Sequence, residues 1–368
     1  MHGFTDDPLI QQVVSSYGHD DLLTSAEHQF SEFKKKYGKT YPTEEEEDYR
    51  FGVFISNLRL ARRNQIMDPT AVHGVTKFSD LRPSEFRRHY LGSDRGQMQL
   101  PKDILKAPIL STDGLPPTIN WTEKGAVTAA KNQTRNCDGC WAFSTIAVLE
   151  GAHFLANDEL LNLSEQQLID CSNKCKNPEL FFQRKNIPDQ ICNKGCKGGH
   201  RVLAFRYIEN NGVVKAEDYP FTGANNGFCN VTENSQIVAS LCYFYHIKCE
   251  DQYASNLVHH GPIAVRIPIK ILPQTYTGGI MCPEVNCTSN EINKITQHAV
   301  VLVGYNDGTT DKTEFSWIIK NSWGSDWGEG GFFRVCRRLL VACGNDPMAI
   351  YATAKNKTAP ECPPKPLI

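Results

Sequence analysis

Apolar side chains recur with the period of an α-helix through the first part of the chain. Residues 24–65 are predicted to be helical, with Phe30 and Phe33 on one face and a break at 38–42. Thr24 is expected to cap the first helix. The second helix begins with an acidic run and ends with basic residues, an order that complements the helix dipole. We expect these charges to form a solvated helix face rather than a binding patch.

A short strand over 72–80 and one more helix in LRPSEFRRHYLG are predicted next. The periodicity then weakens in a linker rich in Pro, Gly and Asp, a natural place for cleavage and for a domain boundary. We therefore expect three parts: a mainly helical unit with its linker at 1–112, a second unit at 113–352, and a Pro-rich C-terminal tail at 353–368.

The second unit is richer in Cys, Gly and short apolar runs. A helix is predicted after Cys140, and strands are predicted in three later runs. Helices early and strands late favour an α+β architecture over a regularly alternating α/β one. The three runs are IAVRI (263–267), AVVLVGY (299–305) and FSWIIKNSW (315–323).

Composition and charge narrow the classes of function. A chain of 368 residues with 40% hydrophobic content can bury a sizeable core. A net charge of −2 gives no general attraction to nucleic acid or to an anionic membrane. No run approaches the length of a transmembrane helix. The N-terminal residues have neither the basic region nor the apolar run of a signal peptide, so none is expected in this chain.

All 14 cysteines lie between residues 137 and 362. This distribution indicates an oxidised, disulfide-stapled unit preceded by a cysteine-free segment. Several Asn-x-Ser/Thr sequons modestly favour the same secretory route. The sequon at Asn132 is expected to be unoccupied, because its side chain should be partly buried. The sequons are at Asn120, Asn132, Asn162, Asn230, Asn286 and Asn356.

Cys140 is the first candidate for catalysis. A polar, glycine-containing turn delivers it to the start of a predicted amphipathic helix, with Phe143, Ile146 and Ala147 on one face. The N–H groups and the dipole of a helix N-terminus stabilise a thiolate. CDGC by itself also suits a redox pair or half of a zinc site formed with Cys137. The loop alone leaves both interpretations open.

Two downstream motifs favour nucleophilic catalysis. In QHAVVLVGY, His298 stands directly before a strand that looks buried. In IKNSWG, Asn321 lies where a strand passes into a loop, with Trp323 two residues on. A cysteine nucleophile needs a base, and the base needs an orienting group. A thioredoxin-type oxidoreductase would require a βαβ context, which the sequence lacks.

Together the motifs resemble those of the papain-like cysteine proteases over about residues 115–352. The resemblance implies a two-domain fold, in which a cleft separates a helical left domain from a β-barrel-like right domain. It also implies a cysteine endopeptidase zymogen that is activated in an acidic compartment, where interface carboxylates are protonated and lose their ion pairs. The motifs are CWAFS, LSEQQLIDC, GCKGG, QHAVVLVGY and IKNSWG.

The upstream segment resembles the inhibitory prodomain of the same family. GVTKFSD is similar to its Gly-x-Asn-x-Phe-x-Asp motif, with Thr76 in place of Asn. FSEFKKKYGK, HGVTKFSDL and LEGAHFLA are most similar to the vacuolar or lysosomal plant members of the cathepsin F-like branch. The family's interrupted helical signature falls on Glu46, Arg50, Phe54, Asn57, Ala61 and Gln65.

The resemblance assigns roles to the catalytic candidates. Cys140 is the nucleophile, His298 is the general base and then the acid, and Asn321 holds the imidazole. Gln133 and the backbone N–H of Cys140 form the oxyanion hole. Trp323 shields the hydrogen bond between His298 and Asn321 from water.

Substrate binding is assigned in the same way. Gly198 and Gly199 let an extended substrate approach the cleft edge, since neither has a Cβ. We expect Arg201 and Arg266 to point to solvent; an inward guanidinium would favour an acidic or polar P2 residue. The walls of the specificity pocket are His200, Arg201, Ala264 or Arg266, and Met348.

The disulfide pairings follow from the resemblance alone. Cys242 is expected to pair with Cys249, which leaves Cys362 as the odd cysteine. The other expected pairs are Cys137–Cys196, Cys171–Cys229, Cys175–Cys192, Cys282–Cys336 and Cys287–Cys343.

The loop before Cys140 departs from the family pattern. It has one extra residue between Gln133 and Cys137, and Asp138 replaces a glycine. The insertion is expected to disturb Gln133, and the carboxylate works against a thiolate nearby. An alternative therefore stays open, namely an inactive relative that serves as a binding or regulatory protein.

The resemblance implies neither a metal nor an organic cofactor. The expected partners are peptide and protein substrates, the chain's own prodomain as an intramolecular inhibitor, and cystatin-like inhibitors. We expect a monomer that binds neither nucleic acid nor membrane. The expected location is the secretory pathway, ending in the lysosome or vacuole or outside the cell.

Overall fold

The computed structural model describes most of the chain. The described residues are 19–90, 104–172, 192–268, 273–283, 297–309, 315–337, 339, 349–359 and 361–364.

Within the described residues, the predicted prodomain upstream of the linker contains three helices and one short strand. Helix α1 spans His19–Tyr37, helix α2 spans Glu44–Met67, strand β1 spans Ala71–His73 and helix α3 spans Pro83–Tyr90. Helix α1 begins before Thr24, so the prediction that this residue caps the helix is wrong. The strand predicted over 72–80 is confined to β1, and a turn follows it.

The helical signature residues of α2 organise this turn and the prodomain core. The Asn57 amide donates to the carbonyl oxygens of Ser79 and Leu81, both at 2.8 Å. Gln65 holds β1, donating to the Ala71 carbonyl and accepting from the His73 N–H. The prodomain core is a separate apolar cluster made of Ala26, Phe30, Phe33, Phe54, Leu58, Ala61 and Val75.

The rest of the chain adds four α-helices and nine strands to the described structure. Its helices are α4 (Cys140–Asn157), α5 (Glu165–Cys171), α6 (Arg201–Asn211) and α7 (Tyr253–His260). Its strands are β2 (Leu105–Lys106), β3 (Thr118–Asn120), β4 (Leu241–Ile247), β5 (Ile263–Pro268), β6 (Tyr276–Met281), β7 (Gln297–Asn306), β8 (Ser316–Lys320), β9 (Phe332–Cys336) and β10 (Ala349–Ala354).

The strands form one sheet in the order β1-β6-β9-β8-β7-β5-β10-β4-β2, and β3 pairs with β7 off this path. At one end, β1 of the prodomain pairs antiparallel with β6. A Cβ on Gly279 would lie 2.5 Å from the Thr70 carbonyl oxygen, so glycine permits this approach. At the other end, β2 of the linker pairs parallel with β4. Segments upstream of residue 113 therefore close both edges of the sheet.

Helix α4 packs inside the molecule, against β7 and β10. Every residue from Cys140 to His153 is buried, so the predicted amphipathic pattern is wrong. A Cβ at Gly151 would lie 2.7 Å from the Pro262 ring, which shows how closely the helix approaches the start of β5. A helical layer against a multi-stranded sheet confirms the predicted α+β class. Within the described ranges, no helix combines the length and the apolar character needed to cross a bilayer.

Candidate active site

Cys140 is the first residue of α4. Gly139 precedes it, and no side chain caps the helix there, so the helix dipole acts directly on the sulfur. The side chain is buried and outside any disulfide. Its thiol donates a long hydrogen bond of 3.9 Å to Asp138 Oδ1. The carboxylate therefore lies beside the sulfur, where it opposes the stabilisation of a thiolate by the helix.

His298 and Asn321 are brought together by adjacent strands. His298 is the second residue of β7, and Asn321 follows β8 directly. His298 Nε2 lies 2.8 Å from Asn321 Oδ1, whereas Nδ1 has no hydrogen-bond partner among the described residues. Burial lowers the pKa of His298 to about 4, against the opposing effect of the Asn321 hydrogen bond. The imidazole is therefore neutral in this state over the ordinary pH range.

Gln133 is held firmly despite the extra residue in its loop. A turn at Thr134, with φ of 64°, accommodates the insertion. The buried Gln133 side chain donates to the Cys137 carbonyl at 3.2 Å and accepts from Ser322 Oγ at 2.6 Å. Its backbone N–H also donates to the Ser322 carbonyl. The sequence analysis missed this role of Ser322, although the residue belongs to the IKNSWG motif.

Asn132, next to Gln133, lies on the surface. Its side chain is exposed, so the prediction of partial burial is wrong. Its Oδ1 accepts from the Thr134 N–H at 2.9 Å, which shapes the inserted turn.

Trp323 covers His298 and in turn lies under the prodomain. The two rings stack with centroids 5.0 Å apart. Phe78, Phe86 and Tyr90 of the prodomain pack on the same indole at 5.3 to 6.4 Å, and the indole N–H donates to the Tyr90 carbonyl. The prodomain therefore seals the imidazole from solvent through one aromatic layer.

A prodomain lysine fastens this layer from the side. Lys77 Nζ contacts the Trp323 carbonyl and pairs with Asp326 at 2.6 Å. Sequence reasoning did not identify this contact, because the partners are almost 250 positions apart.

The glycine pair of the GCKGG motif borders the same helix. Gly198 has φ of 102°, a conformation that favours glycine. A Cβ on Gly199 would lie 2.6 Å from the Trp141 ring. The structure thus gives both glycines a local conformational or packing reason, and their contact with substrate stays a prediction.

The predicted specificity residues lie partly inside the protein. Arg201 opens α6 with only 2% of its surface exposed, and Arg266 of β5 is 9% exposed. The expectation that both point to solvent is therefore wrong. Ala264 is buried and His200 is half-buried. Met348 lies outside the described residues.

Among the described residues, three of the expected disulfides are formed: Cys137–Cys196, Cys171–Cys229 and Cys282–Cys336. Cys192 is disulfide-bonded as well, but Cys175, Cys287 and Cys343 lie outside the described residues.

The expected pairing of Cys242 with Cys249 is wrong. Cys242 bonds to Cys362, and Cys249 is exposed and outside any disulfide. The bond joins positions 120 residues apart and ties the C-terminal tail to β4.

The Cys137–Cys196 bond removes the redox and zinc alternatives for Cys137 and Cys140, because Cys137 is already bonded to another cysteine.

A buried charge cluster that the sequence analysis missed links the parts of the site. Lys131 Nζ contacts Glu150 at 2.9 Å and Glu165 at 2.6 Å. Thr128 bridges Glu150 to Lys320, whose pKa burial lowers to about 8. Because Lys131 precedes Gln133 and Lys320 precedes Asn321, the cluster fixes both segments against α4.

Comparisons with known proteins agree with this geometry. Residues 115–353 match the profile described as "Papain family cysteine protease", and residues 30–86 match "Cathepsin propeptide inhibitor domain (I29)".

The chain is also similar to curated plant proteins over nearly its whole length. It is 47% identical to the "Probable cysteine protease RD19C" of Arabidopsis thaliana, over 96% of this chain and 91% of that protein. It is 47% identical to "Cysteine proteinase 15A" of Pisum sativum, over 95% and 92%. Digestive procathepsin L 3 of Tenebrio molitor superposes with a TM-score of 0.72 at 28% identity, over 89% of this chain and 99% of that one. These similarities give no support to the alternative of an inactive relative.

Proposed function

The chain belongs to the papain family of cysteine proteases, as a proenzyme with an inhibitory prodomain and protein substrates, and from this premise we propose how its residues act. Cys140 is the nucleophile, His298 is the base, and Asn321 orients the imidazole. The observation that carries this assignment is the buried His298 Nε2 to Asn321 Oδ1 hydrogen bond, which leaves Nδ1 available for the nucleophile.

The reaction proceeds by acyl transfer. The Cys140 thiolate attacks the scissile carbonyl carbon, and the oxyanion accepts hydrogen bonds from the Cys140 backbone N–H and from the Gln133 amide. Protonated His298 donates its proton to the leaving amine as the C–N bond breaks. Neutral His298 then takes a proton from water, which attacks the thioester and releases Cys140.

The proenzyme is silenced electrostatically as well as sterically. Under the prodomain, the pKa of His298 is lowered to about 4 because the ring is desolvated. A thiolate–imidazolium pair needs the charged ring, which this environment disfavours. Removal of the aromatic layer over Trp323 hydrates the imidazole and raises its pKa toward the ordinary value. Removal of the prodomain then both opens the site to substrate and allows His298 to become protonated.

Acid favours release of the prodomain. Burial lowers the pKa of His73, in β1, from its ordinary 6.5 to about 4. Between pH 6.5 and pH 4, His73 therefore stays neutral while the prodomain is docked and becomes protonated once it is released. The contribution of His73 to docking is present above pH 6.5 and is lost as the pH falls through the range from 6.5 to 4. We propose cleavage near residue 112, because residues 111–114 are exposed.

The remaining assignments follow from family membership and from this site. We propose a prodomain and linker at 1–112, a peptidase domain at 113–352, and a tail at 353–368 that a disulfide fastens to β4. The mature enzyme acts as a monomer in intracellular protein degradation, in the vacuole or lysosome or after secretion, and cystatin-like proteins inhibit it. The substrate cleft includes Gly198, Gly199, His200, Arg201, Trp323 and Met348.

Incubation of the purified chain at about pH 4.5 tests the proposal. We expect conversion to a form that starts near residue 113, hydrolyses a peptide substrate, and is labelled at Cys140 by an epoxide inhibitor. The Cys140→Ala variant should neither convert alone nor hydrolyse the substrate, whereas the exposed-site control Cys249→Ala should do both. Failure of Cys140 to react would contradict the catalytic assignment, and equally fast conversion at neutral pH would contradict the acid trigger.

A further inference from the structure

The two edges of the sheet are closed by different parts of the pro-segment. Strand β1 covers β6, and β2 covers β4. An open edge presents unpaired N–H and C=O groups that readily accept another strand. The chain thus uses its own linker to occupy the outer edge of β4.

The linker strand is bound by backbone pairing and by apolar burial. Leu105 aligns with Tyr245 and Lys106 aligns with His246 in a parallel ladder. The Ala107 N–H donates to the His246 carbonyl at 2.8 Å. Ile104 and Leu105 are 5% and 7% exposed, and both belong to the main core cluster of the catalytic unit.

A glutamine side chain clamps the far end of this segment. Gln252 Oε1 accepts from the Leu110 N–H at 2.8 Å, and Gln252 Nε2 donates to the Leu110 carbonyl at 3.2 Å. The Gln252 side-chain amide therefore satisfies both backbone hydrogen-bonding groups of Leu110, as the backbone of a neighbouring strand would. Gln252 is itself buried, just ahead of α7. Residues 104–110 are therefore held at both ends, by strand pairing with β4 and by the hydrogen bonds of Gln252.

The exposed residues 111–114 come directly after this clamp. Scission there cuts the covalent link but breaks none of the contacts described for 104–110. The described part of the C-terminal tail lies elsewhere, because Cys242–Cys362 and the Tyr243 hydroxyl, which donates to the Pro363 carbonyl, fasten it at the start of β4.

We propose that the outer edge of β4, with the Gln252 clamp, is a peptide-docking site of the mature enzyme, and that its occupant is the segment 104–112 of its own cleaved prodomain. The proposal rests on the proposed maturation near residue 112. Docking occurs by strand addition, with backbone hydrogen bonds and two aliphatic anchors. None of the contacts described for the segment involves Cys140, His298, Gln133 or Asn321. Scission and release are then separate steps, and the docked segment leaves catalysis at the cleft unaffected.

The test uses mature enzyme freed from its prodomain. Its N-terminal residue is determined first, because a chain that starts upstream of Ile104 never vacates the edge and overturns the proposal. Cys140 is then blocked with an epoxide inhibitor, so that the peptide is not digested. A fluorescent peptide ILKAPILST, residues 104–112, is titrated by fluorescence anisotropy.

We expect saturable binding that the cleft inhibitor does not prevent. The same peptide should leave kcat/KM for a small substrate unchanged when unblocked enzyme is assayed at once. A peptide with Leu105→Glu should not bind. No saturation of the blocked enzyme up to about 1 mM peptide overturns the proposal.

Variants of the clamp locate the site. Gln252→Leu should raise the Kd at least about fivefold, because two hydrogen bonds are lost. Gln252→Glu keeps the acceptor for the Leu110 N–H and should fall between that variant and the wild type. The surface substitution Gln236→Leu is the matched control and should change nothing. An unchanged Kd in Gln252→Leu, with an unchanged Tm, contradicts the assignment.

Peptide binding at the docking site can be tested separately from the proposed catalytic activity. If the chain does not mature, the peptide is titrated onto a chain cut after residue 112 at an inserted site for another protease, with its prodomain removed. Binding there supports the docking site even if the enzyme is inactive. Absence of binding there overturns it independently of catalysis.

Discussion

The prodomain and the catalytic unit bury their apolar side chains in different ways. The prodomain core is a small cluster formed by α1 and α2 with Val75, dominated by the mutual contacts of Phe30, Phe33 and Phe54. The main core extends from α4 across the sheet, and it includes Phe78, Leu81 and Phe86 of the prodomain.

The prodomain is therefore divided into a folding part and a docking part. The docking part belongs to the core of the enzyme that it inhibits. Polar side chains of α2 connect the two parts, since Asn57 holds the turn at 79–81 and Arg50 pairs with Glu85 at 3.0 Å. Loss of the small core should release the inhibitor without damaging the protease. The following predictions test this separation.

The largest effect is expected in the prodomain core. Phe54 is fully buried, so Phe54→Ala should destabilise the prodomain by about 3–5 kcal/mol through lost burial and a cavity. Calorimetry should show a lower transition for the prodomain and an unchanged one for the catalytic unit, and maturation at neutral pH should accelerate. Phe228→Ala, at an exposed position, is the control. An equal loss of stability in the catalytic unit would show that the two cores unfold as one.

A change in the catalytic unit should affect chemistry alone. Gln133→Ala removes one oxyanion donor and should lower kcat about 10²–10³-fold after maturation, with a smaller effect on KM. Alkylation of Cys140 forms no oxyanion, so its rate should be nearly unchanged. A large fall in alkylation would mean instead that the variant disturbs the loop through the lost Ser322 contact.

The pH response should reside in the docking part. His73→Gln removes a group that cannot easily be protonated while it is docked, and should lower the midpoint pH of maturation by about one unit. Maturation rates between pH 4 and pH 7 provide the measurement. His28→Gln, on the exposed face of α1, is the matched control. A midpoint equal to that of the wild type would assign the trigger to other groups.

The smallest effect concerns specificity. Burial of Arg201 and Arg266 should make an acidic or polar P2 residue acceptable, with differences in kcat/KM of about tenfold among peptides. Peptides with Leu, Phe, Glu and Arg at P2 measure this. A clear preference for Leu or Phe would show that neither guanidinium faces the pocket.

Features encoded within short stretches were predicted from sequence. The helix that starts at Cys140, the strand carrying His298 and the strand before Asn321 all depend on local patterns, because a few consecutive residues specify each. The prodomain signature on α2 is equally local, since its positions share one helix. The error in 72–80 arose because tertiary contacts from Asn57 hold residues 79–81 in a turn rather than a strand.

Long-range pairing was decided only in three dimensions. Cys242 is seven residues from Cys249, yet the fold brings Cys362 to it across 120 positions. The sequence predicts that Arg201 and Arg266 point to solvent, but both side chains are buried in the fold. The seal over Trp323 and the closure of the β4 edge likewise join segments that no local pattern links.

The sequence by itself determined which chemistry this protein carries: a cysteine at a helix start, a histidine, an asparagine, and an inhibitory segment ahead of them. Only the tertiary structure decided how that chemistry is restrained. Solvent exclusion from His298, burial of His73 and strand pairing at both sheet edges depend on distant surfaces packing together. Local sequence patterns indicate the residues of each surface, but not which surfaces pack against each other.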